Sequence, residues 1–169
     1  MSNYVLDFDG GRISIELSRF VDRSRFAAPL RNMDGKEPWS LSITRLPEGL
    51  EYQDFLDQGL EETAFIQAGG RADCMTIEIR QPGGSEWGVD SVQSVVGHPV
   101  SDKQARDVPI TMPAATQMVG RSEVFEAEEA ADIFFHYFKT GGLADGYVLR
   151  PIQGWTADNT SVDLRDKAV

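Results

Sequence analysis

Alternation of apolar and polar residues at a period of two is the feature that most limits what this chain can fold into. Ile13, Ile15 and Leu17 alternate with Arg12, Ser14 and Glu16. Trp39, Leu41 and Ile43 alternate with Ser40, Ser42 and Thr44, and Met75, Ile77 and Ile79 with Thr76, Glu78 and Arg80. A strand sends successive side chains to opposite faces, so each run predicts a strand with one face buried. Turn residues separate the runs. Asp9-Gly10-Gly11 joins Tyr4–Phe8 to Arg12–Leu17 as a hairpin, and Pro82-Gly83-Gly84 follows Met75–Arg80. Glu86 to Val96 reads as a further strand whose phase slips near Ser91-Val92, as at a β-bulge. Val108 to Met112 and Tyr147 to Arg150 read as two more, the last closed by Pro151.

One helix is well marked. Between Glu126 and Lys139 the residues Ala127, Ala130, Ala131, Phe134 and Phe138 recur at spacings of three and four, which draws a single apolar stripe. Acidic residues crowd its first turn, where the helix dipole favours them, and Thr140-Gly141-Gly142 stops it. Tyr52 to Glu62, interrupted by Gly59, and Arg19 to Ala28, ended by Pro29, are weaker helical candidates. The fold class expected is α+β, a mostly antiparallel β-sheet with the amphipathic helix of the C-terminal half packed on it. A length of 169 residues fits one domain, placed at 1–156, with the polar stretch 157–169 as a loose tail.

Charge narrows the partners. The chain has 16 Lys+Arg against 27 Asp+Glu and a net charge of −11. Neutralising phosphates needs a basic face, so a general nucleic-acid binder is not expected, nor is attraction to an anionic membrane. MSNYVLDFDGG lacks the basic and then apolar segments of a signal peptide, no stretch is apolar enough to span a bilayer, and Cys74 is the sole cysteine. A cytoplasmic protein without disulfides fits these features. Cys74 reads as a small buried residue.

The sequence offers little to catalysis. His98 lies in a Gly-His-Pro turn, and His136 lies on the polar side of the helix four residues after Asp132. Two histidines and one cysteine cannot supply a structural zinc site without carboxylates. The doublets Gly10-Gly11, Gly69-Gly70, Gly83-Gly84 and Gly141-Gly142 lack the spacing of a phosphate-binding loop and read as turns and a cap. No catalytic, cofactor or metal residue is nominated, and an enzyme is not expected. The acids stand out more. From Leu46 to Gly70 there are Glu48, Glu51, Asp54, Asp57, Glu61 and Glu62 without a Lys or Arg; from Ser122 to Tyr137 there are Glu123, Glu126, Glu128, Glu129 and Asp132, again without one. Such runs are either solvated faces or surfaces complementary to a basic partner. Phe134 and Phe138 belong to the core stripe, while Phe135 and Tyr137 flank it at a possible interface border.

Two segments resemble the Imm1 family of bacterial immunity proteins. The first is Phe65-Ile66-Gln67-Ala68-Gly69-Gly70 with the strand Met75–Arg80, like that family's Leu-Gln-Ala-Gly turn and Thr-Val-Glu strand. The second is Glu126–Phe135 with Thr140-Gly141-Gly142, leading into Tyr147–Arg150. The resemblance spans roughly residues 40 to 150. The chain departs from it after Thr140-Gly141, where Leu143-Ala144-Asp145-Gly146 stands in place of a Pro and a Val-x-Trp ending. The resemblance implies an antitoxin of a polymorphic toxin system that occludes a cognate toxin domain, often a deaminase acting on nucleic acid, and it carries over no catalytic residue. Asp54, Asp57, Glu61 and Glu62 in one run and Glu128, Glu129 and Asp132 in the other are then the candidate contacts to the toxin's basic cleft. The alternative is a non-enzymatic ligand-binding or accessory module with another protein partner.

Overall fold

The computed structural model describes residues 3–167. Ten strands and three helices run in the order β1 (Tyr4–Phe8), β2 (Ile13–Leu17), α1 (Ser24–Arg31), β3 (Ser40–Arg45), α2 (Tyr52–Asp57), β4 (Phe65–Arg71), β5 (Cys74–Pro82), β6 (Ser91–Gly97), β7 (Val108–Thr111), β8 (Thr116–Val119), α3 (Ala127–Thr140), β9 (Val148–Trp155) and β10 (Ser161–Asp163). Eight strands form one sheet in the order β10-β9-β6-β5-β4-β3-β1-β2, and every neighbouring pair is antiparallel. β7 and β8 form a separate hairpin. The fold is the expected α+β arrangement.

The register makes the sheet two-faced. Ile15, Leu6, Ile43, Ile66 and Ile79 are successive cross-strand partners from β2 to β5, and Phe8, Leu41, Ala68 and Ile77 form a parallel apolar row. Both rows meet α1 and α3 in the main core. One residue out of phase lies a polar row of Ser14, Asp7, Ser42, Gln67 and Glu78, which points away from those helices. On that second face α2 sets Phe55 against Val5 and Leu46, and the β7–β8 hairpin sets Ile110 and Val119 against Val95.

α3 follows its sequence closely. Its apolar stripe is buried, Glu128 and Glu129 occupy the first turn, and Gly141 caps it at φ 75°, in the left-handed region that favours glycine. Tyr137, expected beside the stripe, is itself buried, while Phe135 packs at the core margin. Phe26 of α1 is fully buried and meets the rings of Phe134, Phe135 and Phe138 at centroid distances of 6.4, 6.5 and 5.6 Å.

Several boundaries differ from expectation. Phe65–Gly70 is a strand rather than a turn: Ile66 and Ala68 fill the core, and Gly69 leaves room for Met112, whose sulfur would lie 2.6 Å from any Cβ there. Glu86 and Trp87 lie in a 3₁₀ turn (Ser85–Trp87), so that strand starts only at Ser91. The register shift sits at Gln93/Ser94, and Pro151 stands opposite Ser94 at that irregularity, so β9 continues through the proline. Pro29 lies within the last turn of α1, which closes through Asn32 N–H to Pro29 O. α2 is only six residues long and ends ahead of Gly59. Cys74 is half-buried beside the hairpin cluster. In the stretch expected as a loose tail, β10 pairs with β9 and Leu164 is fully buried; residues 168–169 lie outside the described residues.

Phe26 is enclosed by the main core. Phe26→Ala is expected to cost about 3–5 kcal/mol in urea denaturation, as for other buried aromatic truncations. A loss below about 1 kcal/mol, the size of an ordinary surface change, would show that α1 is not held through this ring.

Candidate functional site

The polar row on the second face becomes the floor of a cleft. Its volume is about 360 Å³, and its lining includes Asp7, Ser42, Gln67 and Glu78 from the row, Thr76 and Gly69 beside it, Trp39 and Gly10-Gly11 at one side, Met112 and Gln117 from the hairpin, and Glu62 at the mouth. Each wall has a local cause. Asp9 adopts φ 52° in the turn after β1, and its carboxylate accepts the N–H groups of Trp39 (2.7 Å) and Ser40 (3.2 Å), which fixes Trp39 against the turn. Glu78 accepts side-chain amide N–H bonds from Gln67 on β4 (2.9 Å), Gln93 on β6 and Gln117 on β8 (2.7 Å). One carboxylate therefore ties the hairpin to the sheet floor.

The carboxylates are poorly compensated. Asp7 is only 7% exposed, and among the described residues its carboxylate is bonded only by the Ser14 hydroxyl, which donates to it. Burial pushes its pKa above the ordinary 3.8, and the Ser14 bond only partly opposes this. Glu62 stands exposed at the mouth, yet the protein around its carboxyl raises its pKa, and the nearby Asp7 charge adds to the rise. Among the described residues no Lys, Arg or His lines the cleft. Arg80, close to Glu62 on the neighbouring part of the face, turns its guanidinium over the Trp155 ring at 3.7 Å and donates to Ser91 Oγ and to the Glu62 backbone carbonyl. At the floor the Thr76 hydroxyl, in a residue 3% exposed, has no hydrogen-bond partner among the described residues.

No protein-family model, no curated protein and no solved structure matches the chain.

The acidic residues picked from the sequence fall in two places. Asp54 and Asp57 lie on α2, and Glu61 and Glu62 lie in the loop after it, on the cleft side of the sheet. Among the described residues neither Asp54 nor Asp57 forms an ion pair; Asp57 accepts an amide N–H from Gln53 at 2.8 Å. Leu56 and Leu60 stand among them at 51% and 41% exposed. Glu128, Glu129 and Asp132 lie on α3, across the sheet, and have partners within the chain. Arg23 bonds Asp132 at 2.6 Å and Glu128 at 3.1 Å, and Arg31 also holds Glu128, whose pKa falls to about 2 through those two guanidinium bonds. Asp132 thus pairs with Arg23, just ahead of α1, rather than with His136. Glu129 faces His98 Nε2 at 2.7 Å and accepts from the Tyr147 hydroxyl at 3.3 Å. Burial first, and then Glu129, push the Tyr147 pKa up to about 12. His98, read from sequence as an unremarked turn residue, stacks on Phe125 at 4.6 Å and donates from Nδ1 to Ser122 O.

Asp7, Thr76, Glu78 and Trp39 were not singled out as site residues. Asp7, Thr76 and Glu78 sit as polar partners of core residues, whereas Trp39, expected on the apolar face of its run, lies just before β3 and lines the cleft; only the cross-strand register brings the four to one face. Among the described residues no three His, Cys, Asp or Glu side chains are grouped to hold a metal ion.

Because the folded protein holds the Asp7 proton more tightly than the unfolded chain does, stability attributable to this group falls as pH rises through 3.8 and above. Asp7→Asn removes that penalty. Its stability relative to the parent is expected to be higher at pH 7 than at pH 4 in chemical denaturation; an equal difference at both pH values would mean that Asp7 ionises without cost in the fold.

Proposed function

We propose that the chain is an immunity protein, a cytoplasmic inhibitor that binds a cognate toxin domain through the α2 region and covers its basic substrate cleft. One observation carries the reading. α2 and the loop after it present exposed Leu56 and Leu60 among Asp54, Asp57 and Glu61, in a stretch from Leu46 to Gly70 that holds no Lys or Arg. Apolar anchors within a charged border are the usual anatomy of a protein interface, and a one-signed border speeds encounter with a partner of opposite charge. The net charge of −11 works in the same direction. The resemblance of Phe65–Arg80 and Glu126–Arg150 to the Imm1 family supports the inhibitor role, with a nucleic-acid-targeting deaminase as the class of toxin it implies.

In this reading Asp54, Asp57, Glu61 and Glu62 meet the partner, whereas Glu128, Glu129 and Asp132 already pair within the chain, clamping α1 and the Gly97-His98-Pro99 turn onto α3. No membrane is involved in this reading; among the described residues no helix is long and apolar enough to cross one.

Co-expression tests the role directly. The C-terminal domain encoded by the adjacent gene is expected to stop bacterial growth alone and to permit it with this protein. A harmless neighbour, or one this protein fails to relieve, would turn the reading to an accessory binding module. Within the rescuing pair, reversing Asp54, Asp57 and Glu61 to Lys is expected to weaken toxin binding about 100-fold or more, on the scale of lost interfacial charge pairs, without lowering thermal stability. Reversing Glu128, Glu129 and Asp132 is expected to lower stability, and less so at high salt, because those charges are exposed to screening. Affinity that survives the first set and falls with the second would move the interface to the helical face.

A further inference from the structure

We propose that two copies of this chain pair about a two-fold axis, the acidic α2 ridge of each seated in a basic, aromatic hollow of the other. The pairing involves no toxin and is measured without one, so its failure and the failure of the toxin reading are separate results. Where both hold, the dimer covers the ridge assigned to the toxin, and the two complexes exclude each other.

The hollow rests on one cross-strand row. Leu17, Tyr4 and Arg45 are partners across β2, β1 and β3, at the end of the sheet where β1 begins. Their side chains share the face that carries α3, whose last turn adds Phe138, Lys139 and Thr140. Asn3 and the Arg19-Phe20 turn after β2 complete a wall around about 790 Å³. Arg19, Arg45 and Lys139 line this space, and among the described residues no Asp or Glu does. In a chain with 16 Lys+Arg against 27 Asp+Glu, that is a local reversal of sign. Among the described residues neither Arg19 nor Lys139 forms an ion pair. Each lies over a phenyl ring, Arg19 over Phe20 at 4.7 Å and Lys139 over Phe135 at 5.7 Å. Phe20 itself is 79% exposed, more than any other large apolar side chain among the described residues.

The ridge has the opposite character. Leu56 and Leu60 stand exposed among Asp54, Asp57 and Glu61. Seated in the hollow, its leucines meet Phe20, Leu17 and Phe138, and its acids meet the three cations. An apolar centre inside a border of matched charge is what a specific interface requires. Position makes the match reciprocal. α2 packs through Phe55 on Val5 and Leu46, the residues that follow Tyr4 and Arg45, and the Asn3 amide donates to Leu50 O at 2.9 Å. Ridge and hollow thus stand back to back across one end of the sheet. A two-fold axis at that end lets each copy give its ridge and receive the other's, so the contact closes as a dimer. A second hollow with exposed apolar and cationic lining, at Val100, Lys103, Arg106, Val148 and Leu149, also holds Glu123 and lies over at β6 and β9. A ridge seated there would leave the next ridge open, and the copies would form an unclosed chain.

The test is sedimentation velocity of the full chain at 0.15 M salt, where repulsion between two net charges of −11 is screened beyond about 8 Å. From about 1 μM to about 0.5 mM the mass is expected to rise from one copy to two and to stop there. Two variants break the contact from opposite sides. One reverses the ridge (Asp54→Lys, Asp57→Lys and Glu61→Lys), and the other reverses the hollow (Arg19→Glu and Lys139→Glu). All five side chains are exposed, so each variant is expected to melt as the parent does. Each alone is expected to associate at least about 10-fold more weakly. Mixed one to one, the two variants are expected to form a dimer, because each then offers the charge that the other now needs. Phe20→Ser is expected to weaken the parent dimer with every charge in place. A monomer throughout the range, assembly that grows past two copies, self-association unchanged in either charge variant, or two variants that stay apart when mixed overturns the proposal.

Discussion

The structure depends on one register. Antiparallel pairing aligns Leu6, Ile43, Ile66 and Ile79 on one face and Asp7, Ser42, Gln67 and Glu78 on the other, one residue out of phase in each strand. A slip of a single residue in any of these strands would send its polar member under α1 and α3 and its isoleucine or leucine into the cleft. The cost on both faces makes the register self-enforcing. It also explains why the cleft is polar across its whole width: a surface that opposes a continuous apolar row on alternating strands is continuous in turn.

Two sets of contacts then fix what covers each face. On the helical face Phe26 enters between the rings of α3, and Arg23 and Arg31 close over Glu128 and Asp132 outside that apolar contact. The rings supply most of the stabilisation, since exposed ion pairs contribute little. On the other face Glu78 gathers three glutamine amides from β4, β6 and β8. A buried carboxylate needs such partners, and here they double as a tie between the sheet and a hairpin that also packs on it through Ile110, Val119 and Met112. Glu78 is thus spoken for by the fold, whereas the Asp7 carboxylate, three strands along the same row, accepts only from Ser14 among the described residues.

Local pattern made much of this visible before any coordinates. α3 could be placed within a residue at each end because stripe, acidic first turn and glycine stop agree, and the strands of strict alternation, β2, β3 and β5, were read for the same reason. β4 escaped because its second half, Ala68-Gly69-Gly70, has no side chains large enough to alternate; its core position shows only once Met112 is seen lying over Gly69. β9 was cut short at Pro151, whose missing N–H is harmless at a bulge, and bulges are set by two strands rather than one. β8 reads Thr-Gln-Met-Val, two polar and then two apolar residues with no alternation, and β10 has only three residues. The acidic residues were legible as runs, but pairing was not. Arg23 lies more than a hundred residues before Asp132, and nothing local distinguishes an acid held by a distant arginine from one left open to a partner.

Glu78 and Asp7 show how differently the fold meets a buried carboxylate. Glu78 draws amide donors from three strands, whereas burial penalises the charge at Asp7 and among the described residues only the Ser14 hydroxyl donates to it. Thr44 on β3 and Thr76 on β5 carry buried hydroxyls without a partner among the described residues, so the unmet polar groups are spread across this face of the sheet, while the apolar face it opposes is closed by α1 and α3.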